Sequence, residues 1–168
     1  MEYLLDLFPP PGRLYRLTDS RLNGRYSQVL YAGGRPFRVD HTLGAAFAVR
    51  GAAIAQCGWF DQAFELYCEE IDWQWRLARA GWECWIEPAA EIVHLGGQST
   101  SQAPIRVAAF RHLWQSRRRL YEKYRPQALV SVLALVVRMA MRSRLRTATS
   151  PELQNALRDI IAAWGPSR

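Results

Sequence analysis

The chain has 168 residues, 49% hydrophobic and 22% charged. That is room for one domain with a sizeable core, and the composition excludes a collagen-like or wholly disordered chain. The formal net charge of +7 is unevenly spread. Carboxylates crowd Phe60–Glu91, whereas from Ile105 to Arg146 basic residues dominate and Glu122 is the only acid, a division that points to two separate tasks. Seven tryptophans call for a packed core and at least one aromatic-lined cleft, because an indole is costly to leave in water. Cys57, Cys68 and Cys84 show neither a CxxC pair nor Cys/His zinc spacing, so a reducing, cytoplasmic location is expected rather than a disulfide framework. Met1–Pro10 lacks the basic start and long apolar run of a secretory signal. The longest apolar stretch, Ala128–Val137, is shorter than the about 20 residues that cross a bilayer.

In chain order, residues 1–40 form an irregular basic opening segment, broken at Pro9–Gly12 and again at Gly33, Gly34 and Pro36. Ala45–Arg50 is predicted as a short strand and Gly51–Gln56 as a short helix stopped by Gly58. A helix over Ile71–Ala80 follows, with Glu69 and Glu70 at its positive N-terminal end, Ile71, Trp75 and Ala78 on one face, and Gly81 as the residue beyond its C-terminus. Glu83–Glu87 alternates like a half-buried strand ended by Pro88, and Glu91–His94 offers another short one. Helices are then expected over Pro104–Tyr124, with Ile105, Ala109, Leu113, Leu120 and Tyr124 on a shared face, and over Gln127–Leu145. Another starts at Ser150, Pro151 and Glu152 and carries an apolar stripe of Leu153, Ala156, Leu157, Ile160 and Ile161. The fold class expected is α/β with a helical tail over residues 104–168.

Three segments between residues 41 and 103 carry the chemistry. Leu43–Arg50 reads LGAAFAVR, with Gly44 just before the expected strand. Gly58–Trp82 reads GWFDQAFELYCEEIDWQWRLARAGW, with Glu69, Glu70 and Asp72 at a helix start. Pro88–Thr100 reads PAAEIVHLGGQST, with His94 before a polar glycine loop. Taken singly each has a structural explanation. Gly44 relieves a turn, acids at a helix start stabilise it by a few tenths to about 1 kcal/mol, and Asp72 with Arg76 at i, i+4 makes an ion pair.

In their order and wording, these segments from Gly44 to Thr100 resemble the family 2 glycosyltransferases, in particular the rhamnosyltransferase-like branch. The resemblance implies a partial GT-A fold, with residues 41–103 as the C-terminal part of the catalytic domain, and an inverting transfer from a nucleotide-sugar donor to a polysaccharide or lipid-linked glycan acceptor. The family's catalytic base falls on Glu70, with Glu69 beside it as the alternative. The metal-ligand histidine falls on His94, for Mg²⁺ or Mn²⁺. Gly44, Asp72, Trp73 and Arg76 fall in the donor and acceptor region. The residue types suit that chemistry: a carboxylate takes the acceptor hydroxyl proton, and a cation stabilises the departing diphosphate.

The family's donor-binding half ends in a DxD motif, and this chain has none. The expectation is that a separate or preceding N-terminal half supplies it, and that the chain alone does not transfer sugar. A reading of another class is a noncatalytic basic module that binds a membrane surface or nucleic acid. Arg138, Arg142, Arg144 and Arg146 after the apolar stretch favour peripheral contact at the inner face of a membrane. Nucleic acid is not expected, because the aromatic residues lie mostly among the acids.

Overall fold

The computed structural model describes residues 12–20, 25–95 and 102–165. These fall into two units: the described residues up to Val39 with Trp85–Ile92, and the remainder, from Asp40 to Cys84 and from Val93 onward. The first unit opens with a 3₁₀ helix, Gly12–Asp19, followed by α1, Gln28–Ala32, which Ser27 caps by accepting the Val29 N–H. Strand β1, Phe37–Val39, pairs with β2, Cys84–Ile86, as a two-stranded sheet. Phe37 is flanked by Tyr26 and Tyr31 at ring distances of 6.2 and 5.1 Å.

The second unit is built by helices α2 to α6. Helix α2, Gly51–Cys57, ends as expected at Gly58, whose φ of 72° lets its N–H turn back to the Ile54 carbonyl at 2.8 Å. Helix α3, Glu69–Arg79, begins with Glu69, Glu70 and Asp72 in its first turn. It closes in a Schellman motif: Gly81, at φ 93°, donates to Ala78, and Trp82 donates to Leu77. Trp82 also packs beside Leu77, Ala53 and Trp73, which locks α3 against α2.

Helix α4, Ala103–Tyr124, starts with Pro104 in its first turn. Helix α5, Gln127–Thr147, follows Pro126, and α6, Pro151–Ala163, follows Ser150, whose hydroxyl accepts the Leu153 N–H at 3.1 Å. Helix α6 packs on both α4 and α5. At the centre of these three helices lies Trp164, fully buried, donating to the Trp114 carbonyl at 2.9 Å and meeting the Trp114 and Tyr121 rings edge-on at 6.1 and 6.2 Å.

Several expectations are corrected. Ala45–Arg50 is a turn followed by unpaired chain, because no neighbouring strand among the described residues offers it a ladder of hydrogen bonds. Glu91–His94 is likewise exposed and without regular structure. The buried face of α4 is Ala109, Trp114, Leu120 and Tyr121, with Ile105 exposed, because Trp164 draws the Trp114–Tyr121 side inward. Helix α3 buries two faces rather than one. Ile71 joins Phe64, Cys68 and Leu120, whereas Trp73 and Leu77 join Ala53, and Ala78 faces solvent. The expected stripe of α6 is present, with Ala156, Leu157 and Ile160 buried. Cys57, Cys68 and Cys84 are free thiols.

Candidate active site

The first turn of α3 is entered through strained backbone. Tyr67 and Cys68 both have left-handed conformations, φ 66° and 68°, which cost a residue with a side chain about 1–3 kcal/mol each. They are held there by burial of Cys68 with Phe64, Ile71 and Leu120, by packing of Tyr67 on that cluster, and by the Ser116 hydroxyl of α4, which donates to the Leu66 carbonyl at 2.7 Å. Arg119 adds a second pin by donating to the Ala63 carbonyl. This turn fixes where Glu69 and Glu70 begin the helix.

The sequence-predicted Gly44 and Glu70 meet. A Cβ placed on Gly44 would lie 3.5 Å from both Cβ and Cγ of Glu70 and 3.8 Å from its carboxyl carbon, so the side-chain-free face of Gly44 is turned toward Glu70. The device that holds it there was not legible in the sequence. Gln74, buried one turn after Glu70, accepts from the Thr42 N–H at 2.7 Å and the Thr42 hydroxyl at 3.2 Å. Its amide nitrogen donates to the carbonyls of Thr42 at 3.0 Å and Glu70 at 3.1 Å. The Cys84 thiol, pushed up in pKa chiefly by burial, donates to the same amide oxygen at 3.1 Å. One side chain thus ties the Thr42–Gly44 segment to α3. The Oε2 of Glu69 is buried and meets no hydrogen-bond donor among the described residues.

Asp72 is 0% exposed. Arg76 Nε donates to one of its oxygens at 3.0 Å, and Lys123 Nζ and the Tyr124 hydroxyl donate to the other, each at 2.7 Å. Lys123 also bridges to Asp61 at 2.7 Å. Burial alone would lower the Lys123 pKa, but its bonds to Asp61 and Asp72 outweigh that and raise it. The same ammonium, with the Ala63 N–H, lowers that of Asp61. Burial, then the bond to Asp72, pushes the Tyr124 phenol up to about 12. The Asp72–Arg76 pair is therefore part of a cluster binding α3 to α4, and Asp72 leaves no surface for a substrate to reach. Lys123 and Tyr124 lie about fifty residues away in sequence, and no local pattern announces them.

Arg76 spends its other donors on the carbonyls of Cys57 at 2.7 Å and Trp59 at 2.6 Å. Trp73 is buried and donates to the Gly58 carbonyl at 2.7 Å. Both residues, expected near substrate, fix the Cys57–Phe60 loop from within. His94 is exposed. Among the described residues no three His, Cys, Asp or Glu side chains come together as a metal site.

Over part of its length the chain is similar in sequence to a rhamnosyltransferase. The relative is N-acetylglucosaminyl-diphospho-decaprenol L-rhamnosyltransferase of Mycobacterium tuberculosis, from two strains, each 36% identical over 69 residues, which is 41% of this chain and 22% of that protein. The chain therefore spans about a fifth of the length of the curated relatives it matches. No protein-family profile and no solved structure matches the chain.

Proposed function

We propose that this chain supplies the acceptor-side part of an inverting, GT-A-type glycosyltransferase of family 2, with Glu70 as the general base acting on a lipid-linked glycan. The observation that carries the reading is the contact of Gly44 with the Glu70 side chain at a strained helix start, in a chain similar over part of its length to a rhamnosyltransferase. That relative's name gives a polyprenyl-diphosphate acceptor, and the lipid-linked acceptor comes from there. In the step itself Glu70 takes the proton of the acceptor hydroxyl as its oxygen attacks the anomeric carbon. The bond from that carbon to the nucleotide diphosphate breaks, the diphosphate leaves with the electron pair, and the configuration inverts. Mg²⁺ or Mn²⁺, where bound, would stabilise the departing diphosphate, and among the described residues no three His, Cys, Asp or Glu side chains gather to hold it. His94 as a ligand requires partners from outside those residues.

The test joins the chain to a donor-binding half and measures sugar transfer. Glu70→Gln lowers turnover by about 10²–10⁴-fold with donor binding kept. An inactive Glu69→Gln beside a normal Glu70→Gln moves the role to Glu69, and full activity in both removes the reading.

A second reading, contact with a membrane surface, has its own observation. No helix among the described residues is long and apolar enough to cross a membrane. Helix α5 buries Val130, Leu133, Val137 and Met141 in the core, and its opposite seam is exposed: Ala128, Val132, Leu135 and Met139, continued by Arg142 and Arg146 at the same helical spacing. An apolar stripe that runs into cations suits an anionic lipid surface, each arginine contributing about 1 kcal/mol near one. Vesicles containing anionic lipid bind the chain more tightly than neutral ones and salt weakens the binding; equal partition to both refutes this.

A further inference from the structure

We propose that Trp59, flanked by Phe47 and Phe60, is a stacking platform for one pyranose ring of the acceptor glycan. This deepens the preceding reading and rests on it. Trp59 is 67% exposed, an unusual place for the largest apolar side chain, and its backbone is anchored there. Its ring lies 15° from parallel to that of buried Trp73, with centroids 6.2 Å apart, and most of its surface is open to solvent. Its backbone is fixed from below: Trp73 holds the Gly58 carbonyl, and Arg76 holds those of Cys57 and Trp59. Arg76 is in turn held by Asp72. A ligand meeting this ring has little ordering entropy left to lose. Phe60 and Phe47, each partly exposed, pack on the same Trp73 ring at 4.7 and 5.9 Å.

The aromatic cluster that carries the platform is linked to the candidate base through α3 and the Gly44–Phe47 segment. Trp73 follows Glu70 by three residues, which puts the two on one side of α3 about one turn apart. Phe47 follows Gly44 by three residues, and Gly44 lies on the Glu70 side chain. The segment Gly44–Phe47 therefore runs from the carboxylate to the aromatic cluster.

The chemistry selects the ligand. A pyranose has a face of C–H bonds that lies against the negative face of an indole, and an edge of hydroxyls left free for a neighbouring carboxylate to deprotonate.

The test is saturation-transfer NMR on the full chain with N-acetylglucosamine and glucose as probes. Saturation is expected at ring C–H protons of one face. Trp59→Ala weakens binding about threefold to tenfold, Trp59→Tyr restores most of it, and far-UV circular dichroism is unchanged in both because the ring is exposed. No saturation in the unmodified chain, or equal saturation in Trp59→Ala, overturns the platform. So does a Trp59→Ala variant that loses vesicle binding while keeping sugar binding. Loss of transfer in Glu70→Gln, measured in the joined enzyme, tests the catalytic reading separately, because the saturation experiment on Trp59 does not depend on which carboxylate is the base.

Discussion

Replacement of Gln74 by leucine tests whether the clamp both stabilises the fold and poises Glu70. Gln74 is 6% exposed and serves the N–H and C=O of Thr42 and the C=O of Glu70. Leucine has a similar volume but satisfies none of them. Leaving a buried backbone group unpaired costs about 1–3 kcal/mol. Thr42 is only half-buried, so water recovers part of this, and the added apolar burial offsets about 1 kcal/mol more. A net loss of about 1–2 kcal/mol remains, which for a chain of this size lowers the thermal midpoint by about 3–6 °C. The same change frees the Thr42–Gly44 segment from α3, so transfer by the joined enzyme falls further than stability does, by more than about tenfold, as expected when a misplaced group sits beside the reacting atoms. The assay pairs thermal unfolding by circular dichroism with initial-rate transfer. A Gln74→Leu variant with the original midpoint and the original rate refutes the clamp, and one that loses stability but keeps its rate refutes its link to Glu70.

Trp164→Ala removes the fully buried centre of the three C-terminal helices and costs about 3–5 kcal/mol, read as an early urea transition with loss of near-ultraviolet circular dichroism. Tyr124→Phe deletes the hydroxyl bonded to Asp72 and costs about 1.5–3 kcal/mol. The Tyr124 phenol is pushed up to about 12 in the folded chain against an ordinary value near 10. Its contribution is therefore fully present below pH about 10 and lost as pH rises through about 12, so the unmodified chain loses stability over that window and the phenylalanine variant loses less. Asp61, held low by Lys123 and the Ala63 N–H, contributes stability that is present above the ordinary carboxylate range and lost as pH falls below it. Asp61→Asn flattens the acid limb of a pH–stability curve.

The helices were legible where punctuation is chemical. Ser150 with Pro151, Pro104 and the Gly58 and Gly81 stops act through the backbone groups of their own neighbours, and each falls within a few residues of its helix end. Ala45–Arg50 is a short apolar run, and such a run makes a strand only beside another strand. The candidate site was legible as residue types and less so as roles. Asp72, Trp73 and Arg76 carry the family wording, yet their side chains turn inward to partners that include Lys123 and the Gly58 carbonyl. Gln74 was passed over because a glutamine between two tryptophans looks like the polar side of a helix until Thr42 is brought beneath it. Trp59 was visible as a tryptophan but not as an exposed one, since exposure belongs to the fold.

The cluster around Asp72 also governs how this sequence can be recombined. A tail that packs in the same way but lacks Lys123 and Tyr124 would leave a fully buried carboxylate without two of the three side chains that neutralise or bind it. Stranding a buried charge costs about 3–5 kcal/mol, a large share of the 5–15 kcal/mol that holds a domain together. The region carrying the carboxylates and the helices that follow consequently belong to one unit of the fold. A chimera that exchanges the tail with that of a relative must carry a lysine and a tyrosine, or groups that replace them, to the positions of Lys123 and Tyr124, and a change at Asp72 is tolerated only with a matching change in the tail.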